Sequence, residues 1–185
     1  MMKLIVAVDE QWGIGCKGQL LVTIPADMQH FKEKTKGKVI VMGRETFESL
    51  PGSKPLQGRI NIVLTKNIKL HWEGVTLCHS LSQLFTALAS YRSEDIFIIG
   101  GESVYRQCLP YCSEAYVTKI SNMHPADTCF PNLDSRPEWQ CIEESSVQSY
   151  KDSTYRFTTY INLEQRDWRE FGSDSFIQRI KKTSC

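Results

Sequence analysis

The sequence has almost no net charge, no long apolar run and few histidines, and each shortage removes a class of function. Twenty-two Lys and Arg face 21 Asp and Glu, a formal charge of +1, so no global field draws the chain to nucleic acid or an anionic membrane. Any anion site must be built locally. The longest apolar stretches, such as residues 4–8 and 96–99, are strand-sized, far below the roughly 20 residues that cross a bilayer. No membrane partner is expected. Met1-Met2-Lys3 runs straight into Leu4-Ile5-Val6-Ala7-Val8 and then acidic Asp9-Glu10, too short and too soon charged for a signal peptide, so a cytoplasmic location is the expectation. The four histidines (30, 71, 79 and 124) share no spacing with each other or with a Ser or Cys partner, which argues against a hydrolytic triad. The seven cysteines (16, 78, 108, 112, 129, 141 and 185) include no C-x-x-C pair and read as reduced, structural thiols. Cys108 and Cys112 stand four apart, but Pro110 between them would break a helix presenting both on one face, so no metal site is expected.

What is present is alternation. At 185 residues, with no repeat, low-complexity tract or linker inside residues 1–162, one domain is the default. Val- and Ile-rich runs predict strands at 3–8, 39–42, 60–64, 74–78 and 96–99. Helix-like stretches at 25–34, 44–50, 81–90 and 102–108 fall between most of them, the pattern of a mainly parallel sheet covered on both faces. After residue 113 the pattern changes to strands at 115–120, 140–146 and 154–163 with no helix between the last two, which predicts an antiparallel hairpin at one edge. Tyr155, Phe157, Thr159 and Ile161 alternate with Arg156, Thr158, Tyr160 and Asn162, giving that strand two distinguishable faces. Residues 164–185 are read as a C-terminal extension of a domain spanning 1–163, with Phe176, Ile177 and Ile180 at helical spacing.

Three constellations carry chemistry. In Ile24-Pro25-Ala26-Asp27-Met28-Gln29-His30-Phe31, Pro25 suits a first helical position, where its missing N–H is not needed. Asp27 falls in the first turn, where the helix dipole favours a carboxylate. Asp27 and Phe31, four apart, share a helix face with Met28 beside them, so the carboxylate points along an apolar stripe. A carboxylate at the mouth of an apolar pocket has a raised pKa and can accept paired hydrogen bonds from an amidine-like edge, such as that of a pterin. The second constellation, Val39-Ile40-Val41-Met42-Gly43-Arg44-Glu45-Thr46-Phe47, runs strand, glycine, helix start. The third, Ile96-Phe97-Ile98-Ile99-Gly100-Gly101-Glu102-Ser103-Val104-Tyr105, repeats that order. Neither fits G-x-G-x-x-G. Two such junctions at the carboxyl ends of parallel strands nonetheless suggest a dinucleotide, because open α/β sheets bind ligands there. Residues 9–23, with Gly13, Gly15 and Gly18, form a long connection before the Asp27 helix, and a lid is one reading of it.

Six ordered motifs are together more specific than any one. They are Ile14-Gly15, Ile24-Pro25-Ala26-Asp27, Met42-Gly43-Arg44-Glu45-Thr46-Phe47-Glu48-Ser49, Leu56-Gln57-Gly58-Arg59-Ile60-Asn61, Ile99-Gly100-Gly101 through Tyr105, and Asp127-Thr128-Cys129-Phe130-Pro131. In this order they resemble the motifs of the dihydrofolate reductase family, over residues 3–162. The resemblance implies a single α/β domain: a mostly parallel eight-stranded sheet, four main helices and the C-terminal antiparallel edge. It implies NADPH as cofactor and dihydrofolate and antifolate-like small molecules as ligands; a monomer is the expected state. Asp27 then matches the acid that holds the pterin's amino edge and helps N5 gain a proton. Met28, Phe31 and Leu50 match residues around the ring and aminobenzoyl group, and Arg59 the partner of the substrate's α-carboxylate. The carbonyls of Ile5 and Ile99, with Tyr105, match the pterin and nicotinamide pocket, and Thr118 the hydroxyl bonded to the acid. On the cofactor side the matches are Ala7 and Ile14 at the nicotinamide, with Gly43, Arg44, Thr46, Gly100, Gly101, Glu102, Ser103 and Val104 around the phosphates. Thr65 and Lys66 match the 2′-phosphate neighbourhood.

The chain departs from the family pattern at Leu21-Val22, where Pro-Trp is usual, so the indole that normally holds a water near the acid is missing. Glu102-Ser103 also replaces the glycine and basic residue common after Gly101. A riboflavin-precursor reductase of the same fold is the nearest rival reading; the Pro-Ala-Asp-x-x-x-Phe helix and Arg59 oppose it, because that substrate has no glutamate tail.

Overall fold

A computed structural model describes residues 1–171. In chain order the elements are β1 (Met2–Val8), β2 (Gly13–Cys16), β3 (Gln19–Leu20), α1 (Pro25–Thr35), β4 (Val39–Gly43), α2 (Arg44–Ser49), β5 (Ile60–Leu64) and β6 (Val75–Cys78). They continue with α3 (Leu81–Leu88), β7 (Ile96–Gly100), α4 (Glu102–Cys108), β8 (Cys112–Ile120), β9 (Thr128–Cys129), β10 (Trp139–Glu144), β11 (Gln148–Tyr150) and β12 (Ser153–Asn162). The main sheet runs β10-β12-β8-β1-β7-β4-β5-β6, with short β11 paired to β12. The pairs from β8 through β1 to β6 are parallel. Those made by β12 are antiparallel, so the expected class, eight-strand path and antiparallel edge are all found.

Strands β1, β4 and β7 lie mid-sheet and bury both faces, which explains their near-continuous apolar runs. One cluster, including Leu4, Val41, Leu84, Ile98 and Phe130, fills one layer. A second, with Ile5, Ile40, Met42, Phe47 and Phe97, fills another. Helix α3 is capped by the Ser80 hydroxyl, which accepts from the Gln83 N–H. On β12 the two faces differ as expected. Phe157 meets the His30 ring of α1 at a tilt, centroids 4.5 Å apart, while Tyr160 on the other face edges Trp12.

Residues 9–23 contain the hairpin β2–β3, and β2 pairs with β9 in a separate small sheet. Gly13 is required for this contact, since a Cβ there would sit 2.7 Å from the Ala126 Cβ. Cys108 and Cys112 are both buried, the Cys112 thiol donating to the Cys108 carbonyl at 3.4 Å. Burial pushes the Cys108 thiol up to about 12.

The chain past residue 163 continues across the domain. The Arg166 N–H donates to the Pro110 carbonyl, Trp168 is buried against Phe85, and Phe171 edges Phe85 and Tyr111. The helical expectation at Phe176, Ile177 and Ile180 lies outside the described residues. Deleting a buried indole leaves a cavity, so Trp168→Ala is expected to lose about 3 kcal/mol in urea titrations. Truncation after Leu163 should lower the melting temperature by roughly 6 °C or more; unchanged midpoints in both would show that the segment contributes nothing to stability.

Candidate active site

The site forms where α1 crosses the sheet. Along α1 the inward positions are Asp27, His30, Phe31 and Lys34, while Pro25, Ala26, Met28, Gln29, Lys32 and Glu33 are exposed. This is one helical face, and the position a core leucine would ordinarily take holds a carboxylate. Register does the rest. Ala7 of β1 pairs with Thr118 of β8, Thr118 pairs with Phe157 of β12, and the Thr118 hydroxyl donates to Asp27 Oδ1 at 2.6 Å.

Burial raises the Asp27 pKa, and the Thr118 hydrogen bond opposes that only in part. Among the described residues no cation pairs with Asp27. Tyr105 is fully buried and donates to the Ile5 carbonyl at 2.7 Å. Its phenol is pushed up by burial and then by the field of Asp27, which places the two groups in one neighbourhood. Phe31, Leu50 and Ile99 pack with Ile5 in one apolar cluster. The Arg59 guanidinium lies 5.5 Å from the Phe31 ring centroid, its Nε buried without a partner, and burial lowers its pKa. Met28 remains 43% exposed beside the acid.

The two glycine junctions meet. Strands β4 and β7 are parallel neighbours with Met42 opposite Gly100. A Cβ at Gly43 would meet Val104 Cγ2 at 3.2 Å, and one at Gly101 would meet Thr46 Oγ1 at 3.1 Å. Gly100 has φ +116°, and a Cβ there would press on the Tyr105 ring at 3.0 Å. The Gly100–Gly101 bond is cis. Neither α2 nor α4 carries a side-chain cap at its start, so bare backbone N–H groups face this edge. Thr65 and Lys66 follow β5 at the same edge, the Thr65 N–H donating to the Cys78 carbonyl. Ala7 and Ile14 line a small cleft with Leu20, Leu21 and Val22.

Some site residues are committed elsewhere. Glu102 accepts from the Cys129 N–H at 3.0 Å and pairs with Arg106, pinning β9 rather than facing a ligand. Val104 is buried and Ser103 exposed. Arg44 pairs with Glu45 and Glu48. Sequence reasoning missed two residues that tie loops to the site. Buried Asp9 accepts from the N–H groups of Gln11, Gly13 and His124, and Asp127 accepts from the Lys17 N–H. Only the Asp9-x-x-x-Gly13 turn spacing hinted at the first. His30 lies on the inward face of α1, half-buried against Phe157 and Tyr116; its spacing of three from Asp27 was the available signal. A larger cavity of about 330 Å³, lined by Asp9, Lys119, Asp134 and Arg156 among others, lies apart from Asp27. Its two cations are already paired, Lys119 with Asp134 and Arg156 with Glu144.

Against known proteins, the family model for dihydrofolate reductase matches residues 1–164. The chain belongs to the dihydrofolate reductase family. It is 35% identical over 164 residues to a dihydrofolate reductase of Bacillus subtilis (strain 168), covering 86% of this chain and 94% of that one. To that of Staphylococcus haemolyticus it is 32% identical, covering 89% and 95%. A bifunctional dihydrofolate reductase-thymidylate synthase of Glycine max is 34% identical over 183 residues, and this chain spans about a third of that protein's length (33%). The fold superposes with a TM-score of 0.78 and 33% identity on dihydrofolate reductase from Enterococcus faecalis complexed with NADP(H) and RAB-propyl, covering 88% and 96%.

A buried carboxylate without a counter-cation costs stability when ionised. Because Asp27 has a raised folded-state pKa, the native chain holds more protons than the unfolded chain between the two values, so stability falls as pH rises through that window. Asp27→Asn removes the penalty. Urea titrations at several pH values are expected to show the variant more stable at neutral pH, with the gap closing below the ordinary carboxylate pKa of about 3.9. Equal stability at neutral pH would contradict this.

Proposed function

We propose that this chain reduces 7,8-dihydrofolate to tetrahydrofolate, with hydride going to C6 and a proton to N5 of the pterin. The carrying observation is Asp27, a half-buried acid held by Thr118 on the pocket-facing side of α1. Membership of the family and the NADP(H)-complexed neighbour support the same reading. The glycine edge fits a dinucleotide, since Gly43, Gly100 and Gly101, where a Cβ would crowd Val104, Tyr105 and Thr46, leave side-chain-free backbone at the carboxyl ends of two parallel strands. When bound there, NADPH supplies the hydride. Gly43, Arg44, Thr46, Gly100 and Gly101 would hold its phosphates, with backbone contributions from Glu102, Ser103 and Val104. Ala7 and Ile14 would face the nicotinamide, and Thr65 and Lys66 the adenosine end.

The protein's own work is alignment, water exclusion and one proton. Asp27 accepts from the pterin's amino edge and, with its pKa raised by burial, stays protonated to higher pH than an ordinary carboxylate, so it can supply the N5 proton directly or through water. Thr118 fixes the orientation of its carboxyl. Phe31, Leu50 and Met28 enclose the ring and aminobenzoyl group. Arg59, beside the Phe31 ring with its Nε unpartnered, forks the α-carboxylate. The carbonyls of Ile5 and Ile99 fix the ring's position, the first held by Tyr105. In this reading residues 1–163 carry the activity in a cytoplasmic monomer, and the product serves one-carbon metabolism and thymidylate synthesis.

Loss of NADPH absorbance with dihydrofolate tests the reading. Asp27→Asn is expected to lower turnover by about 10²- to 10⁴-fold. The wild-type rate should fall as pH rises through the elevated Asp27 pKa. In Thr118→Val, which removes the one interaction lowering that pKa, the fall should move to higher pH. An enzyme that binds NADPH and leaves dihydrofolate unreduced would refute the reading.

A further inference from the structure

Arg44 is the first residue of α2, directly after Gly43, which pairs with Leu64 at the end of β5. Thr65 follows Leu64, and its carbonyl contacts His79 Nδ1 at 2.9 Å just beyond β6. Arg44, Thr65, Lys66 and His79 therefore emerge side by side at the carboxyl ends of three adjacent parallel strands. This is the end of the glycine edge that the cofactor reading gives to adenosine. A guanidinium recognises phosphate by presenting two N–H groups as a fork.

In this chain the fork is occupied. Arg44 Nη1 donates to Glu48 Oε2 at 2.6 Å, and Nη2 donates to Glu45 Oε1 at 2.8 Å. One positive charge stands with two negative ones, so the cluster carries a net negative charge before any ligand arrives. We propose that Glu45 and Glu48 compete with the adenosine 2′-phosphate for Arg44, and so weaken discrimination between NADPH and NADH. The proposal rests on the cofactor reading above. A dianionic phosphate must displace both carboxylates or sit beside them. A 2′-hydroxyl needs neither, and it can donate to a carboxylate. The clamp therefore penalises the phosphorylated cofactor and tolerates the other. Exposed pairs are weak individually; the side chains of Arg44, Glu45 and Glu48 are 39%, 80% and 40% exposed, so the clamp biases affinity without blocking the site. Lys66, exposed and without an ion pair among the described residues, is the cation that still attracts the phosphate.

Calorimetric titration of the full chain with NADPH and, separately, with NADH reads this without turnover. Glu45→Gln and Glu48→Gln change exposed side chains, and the double variant is expected to tighten NADPH by about three- to tenfold while NADH stays within about twofold. The gain should shrink as salt rises. Adding Arg44→Ala to the double variant should abolish it. If the Gln variants shift both nucleotides equally, or neither, the competition does not operate. If the gain survives Arg44→Ala, the carboxylates act by general repulsion and the assignment to Arg44 is wrong. If the wild type binds neither nucleotide, the cofactor reading fails, and this proposal with it.

Discussion

The hydrogen bond from Thr118 to Asp27 joins residues 91 apart in the chain, and the site depends on it. It links α1, otherwise mostly exposed, to the middle of the sheet, and gives the acid a fixed orientation in a place that penalises its charge. Most helices gain stability by burying an apolar stripe. Here part of that stripe is an acid beside a pocket, and burial of α1 is correspondingly shallow. The sheet compensates, since β1, β4 and β7 are buried on both faces and fix the register that places Thr118 opposite Ala7.

The second constraint is close approach. The ends of β4 and β7 lie so near each other that Cβ atoms at Gly43 and Gly101 would crowd Val104 and Thr46. Both helix starts lack a side-chain cap, and the first turn of a helix leaves backbone N–H groups that suit an anion. Two charged groups nearby are bound into local pairs, Glu102 with Arg106 and Arg44 with its two glutamates. Recognition at this edge is therefore mainly a matter of backbone and shape, with charge as a modulator.

Residues 9–23 reach the site as a stitched segment. Asp9 holds the turn of its own loop and the N–H of His124, while Asp127 and Thr128 bond to Lys17 and Gly15. These bonds tie the segment of residues 9–23 to that of residues 124–128. Val22, standing where the family usually has an indole, packs with Ile24, Ile120 and Tyr155 and offers no side-chain donor to a water.

The sequence alone determined the alternation of strands and helices, the antiparallel edge and the inward pairing of Asp27 with Phe31. These follow from periods of 2 and 3.6 residues, which are local properties. The two glycine junctions were legible for the same reason, and the Arg44–Glu48 spacing of four was there to be read. Only the tertiary structure decided that the junctions touch, that Glu102 serves β9, and that Asp9 joins His124 across 115 residues. Such contacts depend on strand order and register, and no local pattern encodes which distant backbone N–H a buried carboxylate will meet.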